Sequence, residues 1–506
     1  MPRIPVIEAV VLARRAAVRV RHEERRPVDH GAVGLHRLRL NRCLLIKCRL
    51  ITTGVVSRPK YLLSIRRDMP QNMGRDSTGD AWSKRQFVKA MGAAGATGAL
   101  AGCIGGLGQS GDSEGDGDGG SASLTLSGWA ANNEESKLVK SLVSEFEKNH
   151  QNIAVDYNAI QAKYKQKLKT QLGAGNAPDV FYVDAKYFGS FASSGVLLNL
   201  DQYADGSKFN PDNFFEPLLD AFRFEGKLYG VPKDFSTLQL VWNEKLFEQA
   251  GVSKAPKNWS EFRSTLQTVK EKTDVEYPLA GMPTARAFWG MLWQNGGQVL
   301  NEDGSKVAIA SEANVETLTF LSDLASDDLL GNPSEFGVDW PGAAYGSKQA
   351  AATIIGPWIF PYLEGEKKTV DEVTKCAHLP TPKGGEKATA AYTVSYSASK
   401  KTKSPKAAWT LIRNLTDKQG AKRWAEKGLA LPARKDLQDI EYYSDHERRK
   451  TMLEAGEWSH PVAFGPHSEQ IINTVNPELE AAMLGKKKPQ AALETAQQKL
   501  NSQTFN

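Results

Sequence analysis

The chain has 506 residues, with 64 Lys and Arg against 58 Asp and Glu. Residues 1–102 hold 20 of the basic and 7 of the acidic residues, so the rest of the chain is mildly acidic, with 44 basic and 51 acidic residues. The basic balance comes from the front of the chain alone and gives no argument for binding to nucleic acid.

The first 102 residues divide into two segments. Residues 1–72 contain scattered Arg, Val and Leu without a regular apolar period, which favours translation from a start codon placed too early over a basic binding arm. Residues 73–102 have the layout of an export signal: "SKRQFVK" (Ser83–Lys89) precedes a run of small residues that is too short to span a membrane. The basic stretch resembles a twin-arginine signal, but Lys84 stands for the first arginine, which leaves the export route open.

Cys103 ends the stretch "LAGC", which resembles a lipobox, whose cysteine is lipidated. The alternative is a buried helix with a chance cysteine. Residues 103–123 are then the lipidated cysteine and a flexible Gly/Ser/Asp tether, with a reach of roughly 25 Å. We expect an extracellular protein held by lipid on the outer face of the cytoplasmic membrane, with Cys376 left unpaired.

From residue 124 the pattern is strand, helix, strand, helix, strand. "LTLSGW", "IAVDY" and "DVFYVD" predict the strands. The first helix buries Leu138, Leu142 and Phe146 and has a capping pair in Asn132 and Glu135, and the second is expected to stop at Gly173.

Right-handed crossovers place the carboxyl ends of these strands at one edge, where open α/β sheets bind ligands. Trp129 follows the first strand and Asp184 the third, so both are expected in one crevice. The local sequence equally allows Asp184 to cap the next helix, and Trp129 to lie in the core.

The second half continues in the same style over a length sufficient for two domains. "STLQLVWNEKLFEQAG" predicts a strand and a helix, Ser311 opens an amphipathic helix, and "AAATIIGPW" predicts a buried strand. Later helices are predicted from Ser404 and from a capping pair of Thr416 with Gln419.

The chain contains no P-loop or zinc motif, and its histidines stand at no metal-ligand spacing, so neither metal nor cofactor is predicted. Carboxylates are plentiful enough that a glycosidase pair stays open. The distinctive residue is tryptophan. Those after the signal are Trp129, Trp242, Trp259, Trp289, Trp293, Trp340, Trp358, Trp409, Trp424 and Trp458.

Trp409 and Trp424 are flanked by aliphatic residues on helices and are expected in the core, and at least one of Trp289 and Trp293 is expected to pack. Tryptophans at element ends, beside Gly, Pro, Asn or Asp, suit sugars. An indole covers the apolar C–H face of a pyranose, and carboxylates, amides or guanidinium groups pair with its hydroxyls.

Five segments in order resemble one family: "APDVFYVDAKYFGSFASSGVLLNLDQY", "GKLYGVPKDFSTLQLVWNEKLFEQAGV", "WQNGGQVLNEDG", "AAATIIGPW" and "SASKKTKSPKAAWTLIRNLTDKQG". They are similar to the family 1 extracellular solute-binding proteins, which include the maltose- and multiple-sugar-binding proteins of ABC importers. The resemblance implies an α/β, two-lobe fold of the periplasmic-binding-protein-like type II, with an interlobe ligand cleft and a crossover hinge. It places lobe 1 at 124–233, lobe 2 at 234–384, a return to lobe 1 at 385–430, and C-terminal helices completing lobe 2 at 431–506.

The resemblance also implies the ligand-binding residues. Trp358 of "GPW" matches the stacking tryptophan of maltose-binding relatives, and Asp184 matches a hydroxyl-binding acid. The remaining residues, taken from the crossover segment, the end of strand one or position in the pattern, are Asp234, Ser236, Trp129, Trp293, Tyr392 and Arg434. The maltose type has an aromatic just before the acid, where Val183 stands here with Tyr182 before it, so maltose itself is not implied.

The expected protein is therefore a monomeric receptor, not an enzyme, that captures a mono- or oligosaccharide and passes it to permease subunits with a separate ATPase. Two alternatives stay open at this point. One is a receptor of the same fold for a polyamine, phosphate ester or iron chelate, and the other is a secreted polysaccharide-cleaving enzyme on the same tether.

Overall fold

The computed structural model describes residues 121–130, 132–204, 208–282, 285–428 and 430–505. They belong to a unit that spans Gly111–Asn506. The predictions for residues 1–72, the export signal at 73–102, Cys103 and nearly all of the tether lie outside the described residues.

The first third of the described chain alternates strands and helices as the sequence predicts. In order it contains β1 (Ala122–Gly128), α1 (Asn133–Asn149), β2 (Ile153–Ala159), α2 (Tyr164–Ala174), β3 (Val180–Asp184) and α3 (Ala185–Ser193). The predicted apolar face of α1 is buried, and Asn132 caps the helix by accepting a hydrogen bond from the backbone N–H of Glu135 at 2.9 Å.

Two predicted helix ends were wrong. Helix α2 continues past Gly173, and the chain adopts the left-handed conformation only at Gly175, where φ is 73°. Asp417, not Thr416, caps the helix that follows, because its carboxylate accepts a hydrogen bond from the N–H of Gly420 at 2.8 Å. In both cases a nearby residue that suits a helix terminus at least as well takes the position: Gly175 in place of Gly173, and Asp417 in place of Thr416.

The remaining strands and helices follow in two series. The strands are β4 (Arg223–Phe224), β5 (Lys227–Leu228), β6 (Gly230–Thr237), β7 (Gln239–Asn243), β8 (Leu279–Ala280), β9 (Leu330–Gly331), β10 (Ala352–Ile355), β11 (Thr374–Ala377), β12 (Thr389–Ala398) and β13 (Ser459–Pro461). The helices are α4 (Glu216–Asp220), α5 (Glu244–Gln249), α6 (Trp259–Lys272), α7 (Ala285–Gln294), α8 (Glu312–Ser326), α9 (Pro341–Gly346), α10 (Ile359–Glu366), α11 (Lys368–Asp371), α12 (Pro405–Leu415), α13 (Lys418–Glu426), α14 (Glu441–Asp445), α15 (Glu447–Glu454), α16 (Ser468–Met483) and α17 (Pro489–Gln503).

The longer strands form two sheets, one in each lobe. The first has the order β13-β12-β3-β1-β2, with β6 also paired to β12, and the second has the order β11-β7-β10-β8-β9. Strand β1 runs parallel to β2 and β3, whereas β12 runs antiparallel to β3 and β6. The predicted two-lobe α/β architecture is confirmed.

The chain crosses between the sheets after β6 and again after β11. It leaves the first sheet at the end of β6, enters the second at β7 one residue later, and returns after β11 to β12. Within residues 431–506, β13 pairs with β12 of the first sheet, whereas α16 packs against both α3 and α8. The assignment of this whole segment to the second lobe, like the other domain boundaries, stays a prediction.

The cores contain the tryptophans expected there. Trp409 and Trp424 are buried in the cluster around the first sheet, and Trp289 is buried in the cluster that also includes α16 and α17. These indoles are therefore packing residues, which leaves fewer aromatics for a ligand.

Candidate functional site

Strand register brings predicted site residues together on the first sheet. In the pairing of β12 with its two neighbours, Val394 lies opposite Asp184 of β3 on one side and Asp234 of β6 on the other, and Tyr392 lies opposite Ser236. Residues that face each other across an antiparallel pair share a face, as do alternate residues of one strand. All five are partly exposed, whereas the residues between them along the strands are buried. Hence Asp184, Asp234, Ser236 and Tyr392 line one accessible face.

Asp184 caps the next helix, as the sequence allowed, and it also stays accessible. Its Oδ1 caps α3 by accepting a hydrogen bond from the N–H of Lys186 at 3.0 Å, while its Oδ2 lies 3.1 Å from the ammonium of the same lysine. The side chain is still 28% exposed. The carboxylate is therefore held in place by the helix start and remains accessible from the sheet face.

Asp234 is also accompanied by a lysine. Strand β6 bulges where the register shifts at Val394 and Ser395, and Lys233 is the extra residue. Its buried ammonium contacts the Asp234 carboxylate and lies 3.8 Å from the ring centroid of Trp424 and 5.0 Å from that of Tyr182. No sequence pattern marks Lys233, because only the bulge turns it toward these partners.

Tyr392 links this face to a residue that the sequence did not mark. Burial raises the pKa of the Tyr392 phenol to about 12, with the charge of Arg286 opposing the rise and that of Asp184 adding to it. Both charges therefore act on the Tyr392 hydroxyl. Arg286 lies in the first turn of α7 and is exposed. No spacing or motif around it signals a site, since its partners are about 100 residues away in sequence on either side.

Trp358 lies just beyond the end of β10, so it belongs to the second sheet. It is one of the exposed large hydrophobic residues in the described part of the chain, at 37%. The guanidinium carbon of Arg286 lies 5.8 Å from the centroid of its indole ring. The ring folds back over Gly356, where a side chain would collide with it, so the "GPW" sequence allows this position. Arg286 thus connects the indole of the second sheet with the polar face of the first.

Trp129 lies at the end of β1, beside the same face. It is half-buried, and its ring packs edge-on against Tyr164 and Tyr182, with centroids 5.1 and 5.2 Å apart. Tyr182 precedes Asp184 by two residues and shares its side of the sheet. Trp129 is therefore partly a packing residue, as one of the two interpretations allowed, and it keeps some exposed surface at the end of β1.

Two predicted residues have other contacts. Trp293 stacks on His460, with ring centroids 4.8 Å apart and an interplanar angle of 16°. Arg434 is buried and donates two hydrogen bonds to the carboxylate of Asp436, at 2.9 and 2.8 Å, and one to the carbonyl of Thr416. The structure does not bring Arg434 to the face of Tyr392, and its guanidinium has a structural role there.

The described residues contain no group of three or more His, Cys, Asp and Glu side chains that could hold a metal ion. Within the same part of the chain, no helix combines the length and apolar character needed to cross a bilayer. The chemistry available at the face is an exposed indole, a guanidinium, two carboxylates and two hydroxyl groups. Such a set can bind a polyhydroxylated molecule by ring stacking and by bidentate hydrogen bonds.

One protein family and several solute-binding proteins are similar to this chain. The family described as "Bacterial extracellular solute-binding protein" matches residues 130–422. The diacetylchitobiose binding protein DasA of Streptomyces coelicolor is 29% identical over 232 residues, which cover 44% of this chain and 52% of that protein. The galactooligosaccharide-binding protein of Bacillus subtilis is 24% identical over 372 residues, or 72% of this chain and 86% of the relative.

Solved structures are similar over the same region. An ABC substrate-binding protein from Listeria monocytogenes in complex with cycloalternan has a TM-score of 0.66 and 25% identity, covering 76% of this chain and 98% of that one. The sugar-binding protein MalE of Xanthomonas citri has a TM-score of 0.69 at 22% identity, covering 75% and 96%, and shows the shared fold.

Proposed function

The chain belongs to the bacterial extracellular solute-binding protein family, and we propose that it is the substrate-binding subunit of an ABC transporter for a sugar. The observation that supports this most is the arrangement of Asp184, Ser236 and Tyr392 on one half-exposed face of the first sheet, with the exposed indole of Trp358 contributed by the second. Carboxylate and hydroxyl groups suit the rim of a pyranose, and an indole suits its C–H face.

The names of relatives support an oligosaccharide as the ligand. They include binding proteins for diacetylchitobiose, galactooligosaccharides and arabinooligosaccharides. We infer that the ligand binds between the lobes and that closure about the β6–β7 and β11–β12 connections buries it. The closed receptor then delivers the sugar to the permease without cleaving it.

The proposal includes export and anchoring. Residues 73–102 act as the signal, and lipid on Cys103 holds the mature protein at the membrane through the tether that ends at residue 123. The folded part acts as a monomer, so the partners are the sugar, the permease subunits and the bilayer. Globomycin treatment of expressing cells tests the anchor, since a lipobox cysteine predicts accumulation of an unprocessed precursor.

The first experiment is a thermal-shift screen of the purified protein against neutral and acidic mono- and oligosaccharides, followed by calorimetric titration of the ligands that raise the Tm. A Kd near 1 μM, or about −8 kcal/mol, is expected for the best sugar. If no sugar raises the Tm while a polyamine, phosphate ester or iron chelate does, the sugar proposal is wrong.

Substitution of Trp358 tests the site itself. Trp358→Ala should weaken sugar binding by roughly 1–3 kcal/mol, because it removes the stacking surface. Leu484→Ala is the matched control, since Leu484 is equally exposed, at 38%, but lies at the end of α16. Equal affinities of Trp358→Ala and wild type would remove the indole from the site.

An activity assay distinguishes the receptor from an enzyme. Incubation of the protein with each oligosaccharide that binds should produce no new reducing ends. Sustained turnover that disappears in Asp184→Asn would replace the transport proposal by a hydrolase.

A further inference from the structure

The charges at the candidate site do not balance. Both carboxylates of the face already have a lysine: Asp184 lies 3.1 Å from the ammonium of Lys186, and Asp234 contacts that of Lys233. The guanidinium of Arg286 is left over. Among the residues that the structure describes, no carboxylate lies within ion-pair distance of it.

The position of Arg286 suits contact with a ligand. It is exposed, its guanidinium lies over the Trp358 ring, and its charge acts on the hydroxyl of Tyr392. Several other arginines of the described residues do have a carboxylate partner: Arg263 pairs with Asp327, and Arg423 donates to Glu145. Within the described part of the chain no carboxylate occupies the Arg286 guanidinium, so its N–H groups are available to a ligand beside the stacking indole. A guanidinium fork binds a carboxylate through two parallel hydrogen bonds.

We propose that Arg286 selects an acidic sugar, and that the preferred ligand is a uronic-acid-containing oligosaccharide whose carboxylate binds the guanidinium while a sugar ring stacks on Trp358. The inference rests on the proposed sugar-binding function. The inference extends that function by assigning the ligand a negative charge, which the named ligands of the relatives, such as diacetylchitobiose, do not suggest.

The test compares each acidic sugar with its methyl ester, which lacks the negative charge and carries one added methyl group on each carboxyl. Trisaccharides of α-1,4-galacturonate, β-1,4-mannuronate and β-1,4-glucuronate are each titrated beside their methyl esters. At least one acid should bind about tenfold or more tightly than its ester, because a charge-assisted pair is lost on esterification. That preference should weaken with added salt, since an exposed ion pair is screened.

Variants assign the preference to Arg286. Arg286→Gln should bring the ratio of acid to ester affinity to about one, because the acid loses more affinity than the ester does. Arg286→Lys should keep part of the preference, because it retains the charge but not the fork. The matched control is Arg263→Gln in α6, which should leave both affinities unchanged.

The outcomes separate the two proposals. Neutral sugars that bind while no acid does, an ester that binds as well as its acid, or equal losses for acid and ester in Arg286→Gln would each overturn the inference and leave sugar binding standing. Absence of binding by every neutral and acidic sugar would overturn the proposed function, and the inference would be wrong with it.

Discussion

At the scale of single residues, Asp184 combines an observed structural role with a proposed binding role. One oxygen completes the N-terminus of α3, and the other faces Lys186 at the edge of the accessible face. The cap requires only a hydrogen-bond acceptor, which Asn provides as well as Asp. The binding role requires the negative charge, because hydrogen bonds from ligand hydroxyls to a carboxylate are stronger than those to an amide.

The two roles can be separated by substitution. We predict that Asp184→Asn changes the free energy of unfolding by no more than about 0.5 kcal/mol but weakens sugar binding by about 1–2 kcal/mol. Asp184→Ala should lose the cap as well, at about 1 kcal/mol of stability. Urea unfolding and calorimetric titration of both variants measure the two effects. A destabilisation of Asp184→Asn equal to that of Asp184→Ala would contradict the separation.

The same residues show how far the sequence predicts the site. "DVFYVD" is enough to place Asp184 at the end of a buried strand, because burial on both faces leaves a local signature. Asp184 and Asp234 lie side by side only because β12 pairs with both of their strands, and β12 comes about 200 residues after β3 and about 150 residues after β6 in the chain. For Tyr392, only the family resemblance gave a reason to expect it. Arg286 had no signal at all, since its position results from the packing of α7.

At the scale of elements, helix α15 connects helix α10, which begins directly after Trp358, to strand β6 of the first sheet. Arg449 donates two hydrogen bonds to Glu364 of α10, at 2.6 and 3.0 Å, and Arg448 donates to the carboxylate of Asp371 at 2.7 Å. The hydroxyl of Thr237, at the end of β6, donates to the carbonyl of Met452 in α15 at 2.6 Å. Helix α10 begins directly after Trp358, so α15 fixes the position of that indole relative to β6.

The ion pair of Arg449 with Glu364 should respond asymmetrically to truncation. Arg449 is buried, whereas the Glu364 side chain is 39% exposed. Glu364→Ala leaves a buried guanidinium without its carboxylate and should cost about 2 kcal/mol or more. Arg449→Met removes the buried charge, retains apolar volume and should cost about 1 kcal/mol. Urea unfolding of both variants at pH 7 measures these two costs.

A surface pair provides the control for this comparison. Lys245 and Glu248 form an ion pair with side chains 69% and 50% exposed, so Glu248→Ala should change the stability by less than about 0.5 kcal/mol. Equal costs for Glu364→Ala and Arg449→Met would show that burial of the guanidinium does not decide the energetics of this pair.

Local sequence patterns predicted where helices and strands form better than they predicted which strands pair with each other. The spacing of apolar residues predicts the first three strands and the helices between them. Each of these elements packs its apolar residues against elements that are close to it in the sequence. The second sheet is different: β10 pairs with β7 antiparallel and with β8 parallel, and these strands are separated by whole helices. Such pairings depend on the way the chain crosses between lobes, which no window of sequence contains.

At the scale of the whole molecule, helix α16 connects regions that the sheets keep apart. It packs against α3 of the first lobe, against α7 and α8, and along its length against α17. Glu478 lies in α16 with only 8% of its side chain exposed, and it accepts hydrogen bonds from Lys487 at 2.6 Å and from Lys499 at 2.7 Å. Loss of this carboxylate should therefore affect the stability of both lobes in one transition.

The charge state of Glu478 predicts a specific dependence on pH. Burial raises the pKa of Glu478, but the hydrogen bonds and charges of Lys487 and Lys499 outweigh burial and hold the pKa below its ordinary value. In the unfolded chain a glutamate titrates near pH 4.3, so on acidification the unfolded form takes up the proton first. The stabilisation is complete above that pH and is lost as the pH falls through the lower pKa of the folded state.

In Glu478→Gln, the free energy of unfolding should therefore fall less steeply on acidification than it does in the wild type. We predict a loss of about 1–2 kcal/mol at pH 7, where the wild type has the charge-assisted bonds, and a difference that narrows progressively below about pH 4.5. Urea unfolding from pH 3 to 8 measures the profile, with Glu480→Gln as the control because Glu480 is exposed on the same helix. A difference between Glu478→Gln and wild type that stays constant down to pH 3 would mean that the ionised carboxylate does not stabilise the join between α16 and α17.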